Sequence, residues 1–593
     1  MTEPRAVQPQ FVSSLDGTRI AVYETRGPSP DSPVVVCIHG YPDHAGVWDG
    51  VVEALAARFR VLAYDVRGAG RSQAPGSRAG YELDRLAEDF RAVLGLLPEG
   101  RAVHLLGHDW GGIQAWHFAT EPSLAGRIAS LTTVSGPSLD HAGHWMREGL
   151  RHPGRRMRAV LAQQRRSAYI GLFLLPKVPE LAWRARLLDR AVRTSRADYR
   201  RDLREKLNGL NLYRANMRIR RRDVPRRTEV PVQVLAPVAD RFVTPALQLD
   251  APLPFTHRFF PRRIAGGHWI LTQRPDVIAT ATAQLIDLVE SAVAAPSLRR
   301  CEVKRSVPHS RPRRTGPGRG QPFAGQLALV TGGGSGIGRA TALEFARRGA
   351  DVLIADIDEA AADQVADEVR ALGRSAQALR LDVADEQGWA ELAALIRTDF
   401  GHLDVLVNNA GIGMAGSFLQ TEAADWERIL DVNLHSVIHG CRLFASDWVT
   451  AGHPGRIVNI ASAAAYSPSR TYPAYATTKA GVLMLTQCLR AELAVHQIGV
   501  TAVCPGFVDT NISRTTSHVG LDEAAERVKQ DRAVRSYRRR NYPPAKAARR
   551  IVAGVEANKP VVYVTAEAVA FRLLDRLLPG LQRTIARVDL TEL

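Results

Sequence analysis

The chain has 593 residues, a formal net charge of +18, 45% hydrophobic residues and 23% charged residues, the composition of a folded globular protein. Length alone suggests about four domains. No run approaches the roughly 18 uninterrupted apolar residues of a membrane span, and the start, MTEPRAVQPQFV, lacks the apolar stretch of a signal peptide. The cysteines (Cys37, Cys301, Cys441, Cys488 and Cys504) form no C-x-x-C pair, so the sequence indicates no disulfide framework and no metal site. A reduced, cytoplasmic setting is expected, with the inner face of the membrane as a variant of it.

The positive charge is uneven. From Met146 to Thr228 there are 22 Arg and 2 Lys against 7 Asp or Glu. Such a surface suits an anionic membrane, an anionic substrate or simply solvent. No finger or aromatic-interleaved module accompanies it, so nucleic acid is not expected as a partner.

In chain order, the apolar runs PVVVCIH and VLAYD predict strands, with a loop His39-Gly40-Tyr41-Pro42 after the first. AVHLL predicts another strand, followed by Gly107-His108-Asp109-Trp110-Gly111 and then GGIQAWHFA, which reads as a helix. Strand, tight turn and helix are the context of the G-x-S-x-G nucleophile elbow, here with Asp109 at the reactive position. Backbone N–H groups of Trp110 and of the loop at Tyr41 can form an oxyanion hole. After a basic helical segment at about 140–228, PVQVLAPVAD leaves Asp240 just past a strand, and AGGHWI leaves His268 in a loop. The order Asp109, Asp240, His268 is nucleophile, acid, base.

The carboxylate at the elbow indicates attack on an alkyl carbon. Serine would form an ether there, which water does not readily cleave, whereas aspartate forms an ester whose carbonyl stays open to attack. Asp109 is expected to be ionised at neutral pH, with a reference value of ~3.9. That leaves His268, oriented by Asp240, to activate water in a second step.

Residues 296–323, rich in Pro, Gly, Ser and Arg, read as a basic linker between an amino-terminal half, 1–295, and a carboxy-terminal half, 324–593. After it, QLALVTGGGSGIGRATALEFARRGADVLIADID gives strand, Gly-rich turn, helix, strand and acid. Gly332, Gly336 and Gly338 follow a T-G-x-x-x-G-x-G fingerprint, with Ser335 and Ile337 between them. Asp356 lies 24 residues beyond Gly332. An acid there accepts from a ribose 2′-OH and repels a 2′-phosphate, so NAD is expected over NADP. Further on, Tyr475 and Lys479 stand four apart, on one helix face, where the ammonium is expected to lower the phenol from ~10 toward neutrality. Both halves alternate strands with helices, so the fold class is α/β with parallel sheets.

HGYPD, DVRGAGRS (Asp65–Ser72), GHDWGG and GGHW resemble the epoxide hydrolase branch of the α/β-hydrolases over roughly residues 10–290. The resemblance implies a helical cap that supplies two tyrosines as acids for ring opening. RRSAYIGLFLLPKVPE points to Tyr169 and LNLYRAN to Tyr213. It departs at Ala168, where the family pattern implies an aromatic residue. Haloalkane dehalogenases share the aspartate elbow, and a dehalogenase is the rival reading.

The second half resembles a Rossmann-fold short-chain dehydrogenase/reductase. LDV places Asp382 and Val383 at the adenine; Asn408-Asn409-Ala410-Gly411 is the family's NNAG. Asn433 on a predicted helix, Ser462, Tyr475 and Lys479 complete the catalytic set that the resemblance implies, with Asn433 anchoring a relay water. Pro505, Gly506 and Thr510 resemble the nicotinamide-side loop.

Together the halves resemble actinobacterial two-domain epoxide hydrolase–dehydrogenase proteins of lipid metabolism. That implies an epoxide opened to a vicinal diol and an alcohol exchanged with a ketone, on a lipophilic small molecule. Association into homo-oligomers through the dehydrogenase half and peripheral contact with a membrane are also expected. A third reading is a membrane-surface scaffold with relic enzyme domains.

Overall fold

The structure, a computed structural model, describes residues 8–192, 199–217, 225–304 and 321–587. The chain divides into two compact units, Met1–Pro312 and Arg313–Leu593. The length that suggests four domains is therefore carried by two.

Among the described residues the first unit has strands β1 (Gln10–Ser13), β2 (Arg19–Thr25), β3 (Val34–Ile38), β4 (Arg60–Tyr64), β5 (Val103–His108), β6 (Ile128–Val134), β7 (Val232–Pro237), β8 (Arg258–Ile264) and β9 (Val303–Lys304). They form one sheet in the order β1-β2-β4-β3-β5-β6-β7-β8-β9. The strands from β4 to β8 run parallel, and the edges at β2 and β9 are antiparallel. β3 (VVVCI) is buried throughout, as a parallel strand covered on both faces must be. Its side chains alternate between two cores. Val34, Val36 and Ile38 meet Leu105 and Leu131 on one face, while Val35 and Cys37 meet Leu106 and Leu235 on the other.

Between β6 and β7 the chain leaves the sheet for five described helices: Leu139–Leu150, Arg155–Arg166, Ala168–Leu174, Val178–Arg184 and Leu203–Asn216. The Arg-rich reading of 146–228 falls partly on 193–198 and 218–224, outside the described residues.

The expected linker is shorter than its composition suggests. Pro296–Cys301 is a helix whose Leu298 is fully buried, and Val303 then pairs with Phe259 on β8. At the other end Phe323 is buried, and its N–H donates to Arg348 O at 3.0 Å. A single apolar side chain in each basic stretch anchors it to a core, which average composition conceals. Residues 305–320 lie outside the described residues.

The second unit has β10 (Leu327–Thr331), β11 (Asp351–Asp356), β12 (Ala376–Arg380), β13 (Val405–Asn408), β14 (Met414–Ala415), β15 (Arg456–Ile460), β16 (Gly499–Cys504), β17 (Ser517–His518) and β18 (Val561–Tyr563). Seven make a parallel sheet, β12-β11-β10-β13-β15-β16-β18, and β14 pairs with β17. The order reverses between β10 and β13, a topological switch point where doubly wound sheets bind ligands beyond their carboxyl ends.

Candidate active sites

Asp109 follows β5 and caps the helix Trp110–Ala119 with φ 49° and ψ −121°, a backbone state that persists only where the surroundings impose it. A Cβ on Gly107 would lie 2.6 Å from Gly111 O, and one on Gly40 2.5 Å from Asp109 Cβ. Only glycine fits either place. The turn thus delivers one carboxylate to the top of the sheet, where two main-chain N–H groups meet it. That of Tyr41 donates to Oδ2 at 2.9 Å, and that of Trp110 donates to the same carboxylate.

Asp109 Oδ1 faces His268 Nε2 at 3.6 Å. On the far side of the ring, His268 Nδ1 lies 3.1 Å from Asp240 Oδ2. Asp240 is held in turn by the N–H groups of Phe242 and Val243, which donate to Oδ1 at 2.8 and 3.0 Å. Burial works against a charged His268, but Asp240 and then Asp109 overcome it and hold the imidazole above its ordinary value. Burial likewise opposes ionisation of Asp240, yet His268 and the Val243 N–H bring it below the ordinary carboxylate value. Asp109 goes the other way: burial raises it, against His268 and the two N–H groups. The expectation of an ordinary carboxylate at 109 is corrected accordingly. Water reaches little of it, so its ionisation leans on the histidine.

Tyr213 is buried with its ring 4.9 Å from that of Trp110, and Tyr169 lies 6.2 Å from Tyr213. Both phenols are pushed up, first by burial and also by the Asp109 charge, so both keep their protons at any working pH. Phe173 and Phe242 close the aromatic wall, at 5.3 Å each from Tyr169. The Tyr41 phenol points away and donates to Lys206 O at 2.7 Å; what Tyr41 offers the site is its main-chain N–H.

In the second unit a cavity of about 1390 Å³ is lined by all the predicted dinucleotide residues but one: Gly332, Ser335, Gly336, Ile337, Asp356, Asp382, Val383, Asn409, Ala410, Gly411, Tyr475, Lys479, Pro505, Gly506 and Thr510. The exception, Gly338, works from behind, where a Cβ would press on Gly332 O and Asn409 Nδ2. Gly332 and Gly336 have φ of 60° and 54°, conformations that glycine adopts without cost. Asp356 Oδ2 accepts from Gly334 N–H at 2.8 Å. A glycine cradle at a helix N-terminus, ending in a carboxylate, fits a dinucleotide.

Ser462, which also lines the cavity, lies within hydrogen-bonding reach of the Tyr475 phenol, and Lys479 Nζ sits 5.8 Å from that ring and donates to Ile460 O at 3.1 Å. Burial brings the ammonium down to about 8. Burial also raises the phenol, against the Ser462 bond. The expected fall of Tyr475 toward neutrality is therefore not found in this arrangement, because desolvation of the phenol outweighs the Ser462 hydrogen bond. Asn433 lies in a π-helical turn, Asp431–His435, a local irregularity frequent at functional sites. Its amide bonds the main chain of Ile412 in both directions, at 2.8 and 3.0 Å, and reaches Thr478 Oγ1. The side chain therefore holds the loop at Ile412.

Three positioning residues escape a reading of motifs. His108 Nε2 donates to His268 O at 2.8 Å, and burial brings the ring down to about 3, keeping it neutral. Gln163 on the cap accepts from Thr244 N–H at 2.7 Å and donates to Phe242 O at 3.0 Å, tying the cap to the Asp240 loop. Thr331 Oγ1 accepts from Asn409 N–H and Ala410 N–H at 3.0 and 3.1 Å. The signal for His108 is a polar residue closing a buried strand; Gln163 has none.

Residues 33–275 match the family described as alpha/beta hydrolase fold, and residues 326–519 match short chain dehydrogenase. The chain is 40% identical over 599 aligned residues to "Probable oxidoreductase EphD" of Mycobacterium tuberculosis (strain ATCC 25618 / H37Rv), covering 98% of each chain. It is 33% identical over 199 residues to 2-dehydro-3-deoxy-D-gluconate 5-dehydrogenase of Escherichia coli (strain K12), covering 34% of this chain and 77% of that one. A solved short chain dehydrogenase/reductase from Burkholderia phymatum in complex with NAD aligns at 28% identity and TM-score 0.41, covering 44% of this chain and 96% of that one. Matched end to end at this identity, with a hydrolase fold ahead of a dehydrogenase fold, the chain belongs to the EphD-like family of oxidoreductases.

Proposed function

We propose that the first unit hydrolyses an epoxide to a vicinal diol through an ester on Asp109, and that the second exchanges an alcohol with a ketone using NAD. One observation carries the first half. A carboxylate occupies the elbow with Oδ2 on the Tyr41 N–H, Oδ1 toward His268, and two protonated phenols nearby. In this reading Oδ1 attacks the epoxide carbon while Tyr169 and Tyr213 hydrogen-bond the ring oxygen and supply its proton. His268 then takes a proton from water, which attacks the ester carbonyl; collapse frees the diol and the Asp109 carboxylate, and the imidazolium proton restores the phenol that gave up its own. The developing oxyanion stays on the N–H groups of Tyr41 and Trp110. Asp240 keeps the imidazole in the tautomer this requires.

In the second unit Tyr475 passes the proton to or from the substrate oxygen and Ser462 holds that oxygen. Lys479 and the Asn433-held loop keep Tyr475 and the cradle in register. NAD, when bound along Gly332–Gly338 and Asp356, supplies the hydride acceptor or donor. Asp356 favours a ribose hydroxyl over a phosphate at that position. The aromatic lining of the hydrolase site suits a lipophilic substrate, and the diol leaving it is an alcohol of the class the second unit takes. Action in series follows, with self-association through the dehydrogenase unit and contact with an anionic membrane as further parts of this reading.

The test uses a long-chain terminal epoxide with NAD. Diol and hydroxyketone are expected from the wild type. Tyr169→Phe with Tyr213→Phe should lower diol formation by about 10²–10⁴-fold. Undiminished turnover in that double variant, or halide release from haloalkanes with no diol from epoxides, would favour the dehalogenase reading instead.

A further inference from the structure

At the end of the second sheet opposite Asn409, two histidines converge on one carboxylate oxygen. His453 Nε2 lies 3.0 Å and His402 Nε2 3.7 Å from the same atom, Asp404 Oδ1. The two imidazole centroids are 3.7 Å apart, and the three side chains are only 12–20% exposed. Their ligand atoms all lie within 4.8 Å of one another. A tetrahedral Zn²⁺ with N and O ligands at 2.0–2.1 Å holds them about 3.4 Å apart. The two histidine–carboxylate separations bracket that value, and the two rings must part toward the ~5 Å centroid spacing of imidazoles on one ion to admit it.

The carboxylate is oriented from behind, as metal ligands are. Asp404 Oδ2 accepts from Leu327 N–H at 2.7 Å, which turns Oδ1 toward the histidines. The main chain of Asp404 is locked between β10 and β15: its N–H donates to Leu327 O and its carbonyl accepts from Arg456 N–H, each at 3.0 Å. His453 N–H donates to Trp448 O at 2.8 Å, and Trp448 Nε1 donates to Leu403 O at 2.6 Å. Both loops are therefore fixed before any ion arrives. Because the ligands come from the turns ahead of β13 and β15, no short Cys or His spacing in the sequence reveals them.

The geometry points to a divalent transition-metal site at His402, Asp404 and His453, suited to Zn²⁺, with water in the remaining position. It fastens the turn before β13 to the turn before β15, at the sheet end away from the chemistry. Its role is structural.

The experiment uses the full-length chain, dialysed against a chelator and titrated with Co²⁺ and then Zn²⁺. The expected result is one Co²⁺ per chain with the intense visible bands of a low-coordinate ion, displaced by Zn²⁺. In His402→Asn with His453→Asn the bands disappear, and Zn²⁺ binding by calorimetry weakens by about tenfold or more. NADH formation and the circular dichroism spectrum stay unchanged. Should the double variant fail to fold, His402→Asn alone, at the longer contact, makes the same measurement. No Co²⁺ binding by the wild type, or the same spectrum and stoichiometry in the variants, overturns the site.

Discussion

His268 must be neutral when it draws a proton from water, yet Asp240, and Asp109 until it is esterified, hold it above its ordinary value. As pH falls, the imidazole protonates first, and its charge keeps Asp109 ionised despite burial. Ring opening, which needs the carboxylate and the two protonated phenols but no neutral imidazole, outlasts ester hydrolysis on the acid side. Epoxide turnover is thus expected to fall as pH drops through the raised histidine value, with esterified enzyme accumulating. His268→Gln should trap the same ester wherever Asp109 stays ionised and slow turnover by about 10²–10⁴-fold. Mass spectrometry of acid-quenched protein reads both. Acid inactivation without ester would mean that Asp109, not His268, loses its working form first. Asp109, Asp240 and His268 could be proposed from sequence because the first two follow predicted strands and the third sits in a predicted loop, in a fixed order. The departure of Asp109 and Tyr475 from ordinary values could not, since it depends on burial created by residues far along the chain.

Elements matter here by what they hold still. The cap helix Arg155–Arg166 reaches the Asp240 loop through Gln163, a buried side chain bonded to Thr244 N–H and Phe242 O. Gln163→Ala leaves those two main-chain groups unpaired, at a cost of about 1–3 kcal/mol. It should also lower epoxide turnover without altering NADH formation, as denaturant unfolding and parallel assays would check. Unchanged stability and turnover would show that the cap is not coupled to Asp240 by this route. The DVRGAGRS segment teaches the limit of motif reading. Its Arg67 is fully buried against Asp89, with a second contact to Asp16 at 2.9 Å. Asp65 accepts from Ala45 N–H and Arg71 N–H, each at 2.8 Å. The motif was recognisable as a string, but its purpose lies in partners supplied by other elements. The same holds for Pro296–Cys301, where one buried leucine turns an apparent linker into part of the fold.

At the scale of the whole chain, each unit carries its own sheet, core and site. Strand alternation and glycine spacing made both folds legible, because parallel sheets demand apolar runs and dinucleotide turns demand glycine. The His402–Asp404–His453 cluster was invisible, because only folding brings its members together. If the two chemistries are separate, Asp109→Ala should abolish diol formation and leave NADH formation from alcohols intact. Tyr475→Phe should do the reverse, with diol accumulating. Loss of both activities in either variant would show that the sites depend on one another.

The central claim is that Asp109 bonds to the substrate's saturated carbon. A single turnover in ¹⁸O-water, with enzyme in excess, tests it most directly. The account predicts heavy oxygen in the peptide containing Asp109 and none in the first diol released. Label in the diol with an unlabelled Asp109 peptide would contradict it, since water would then have opened the ring itself.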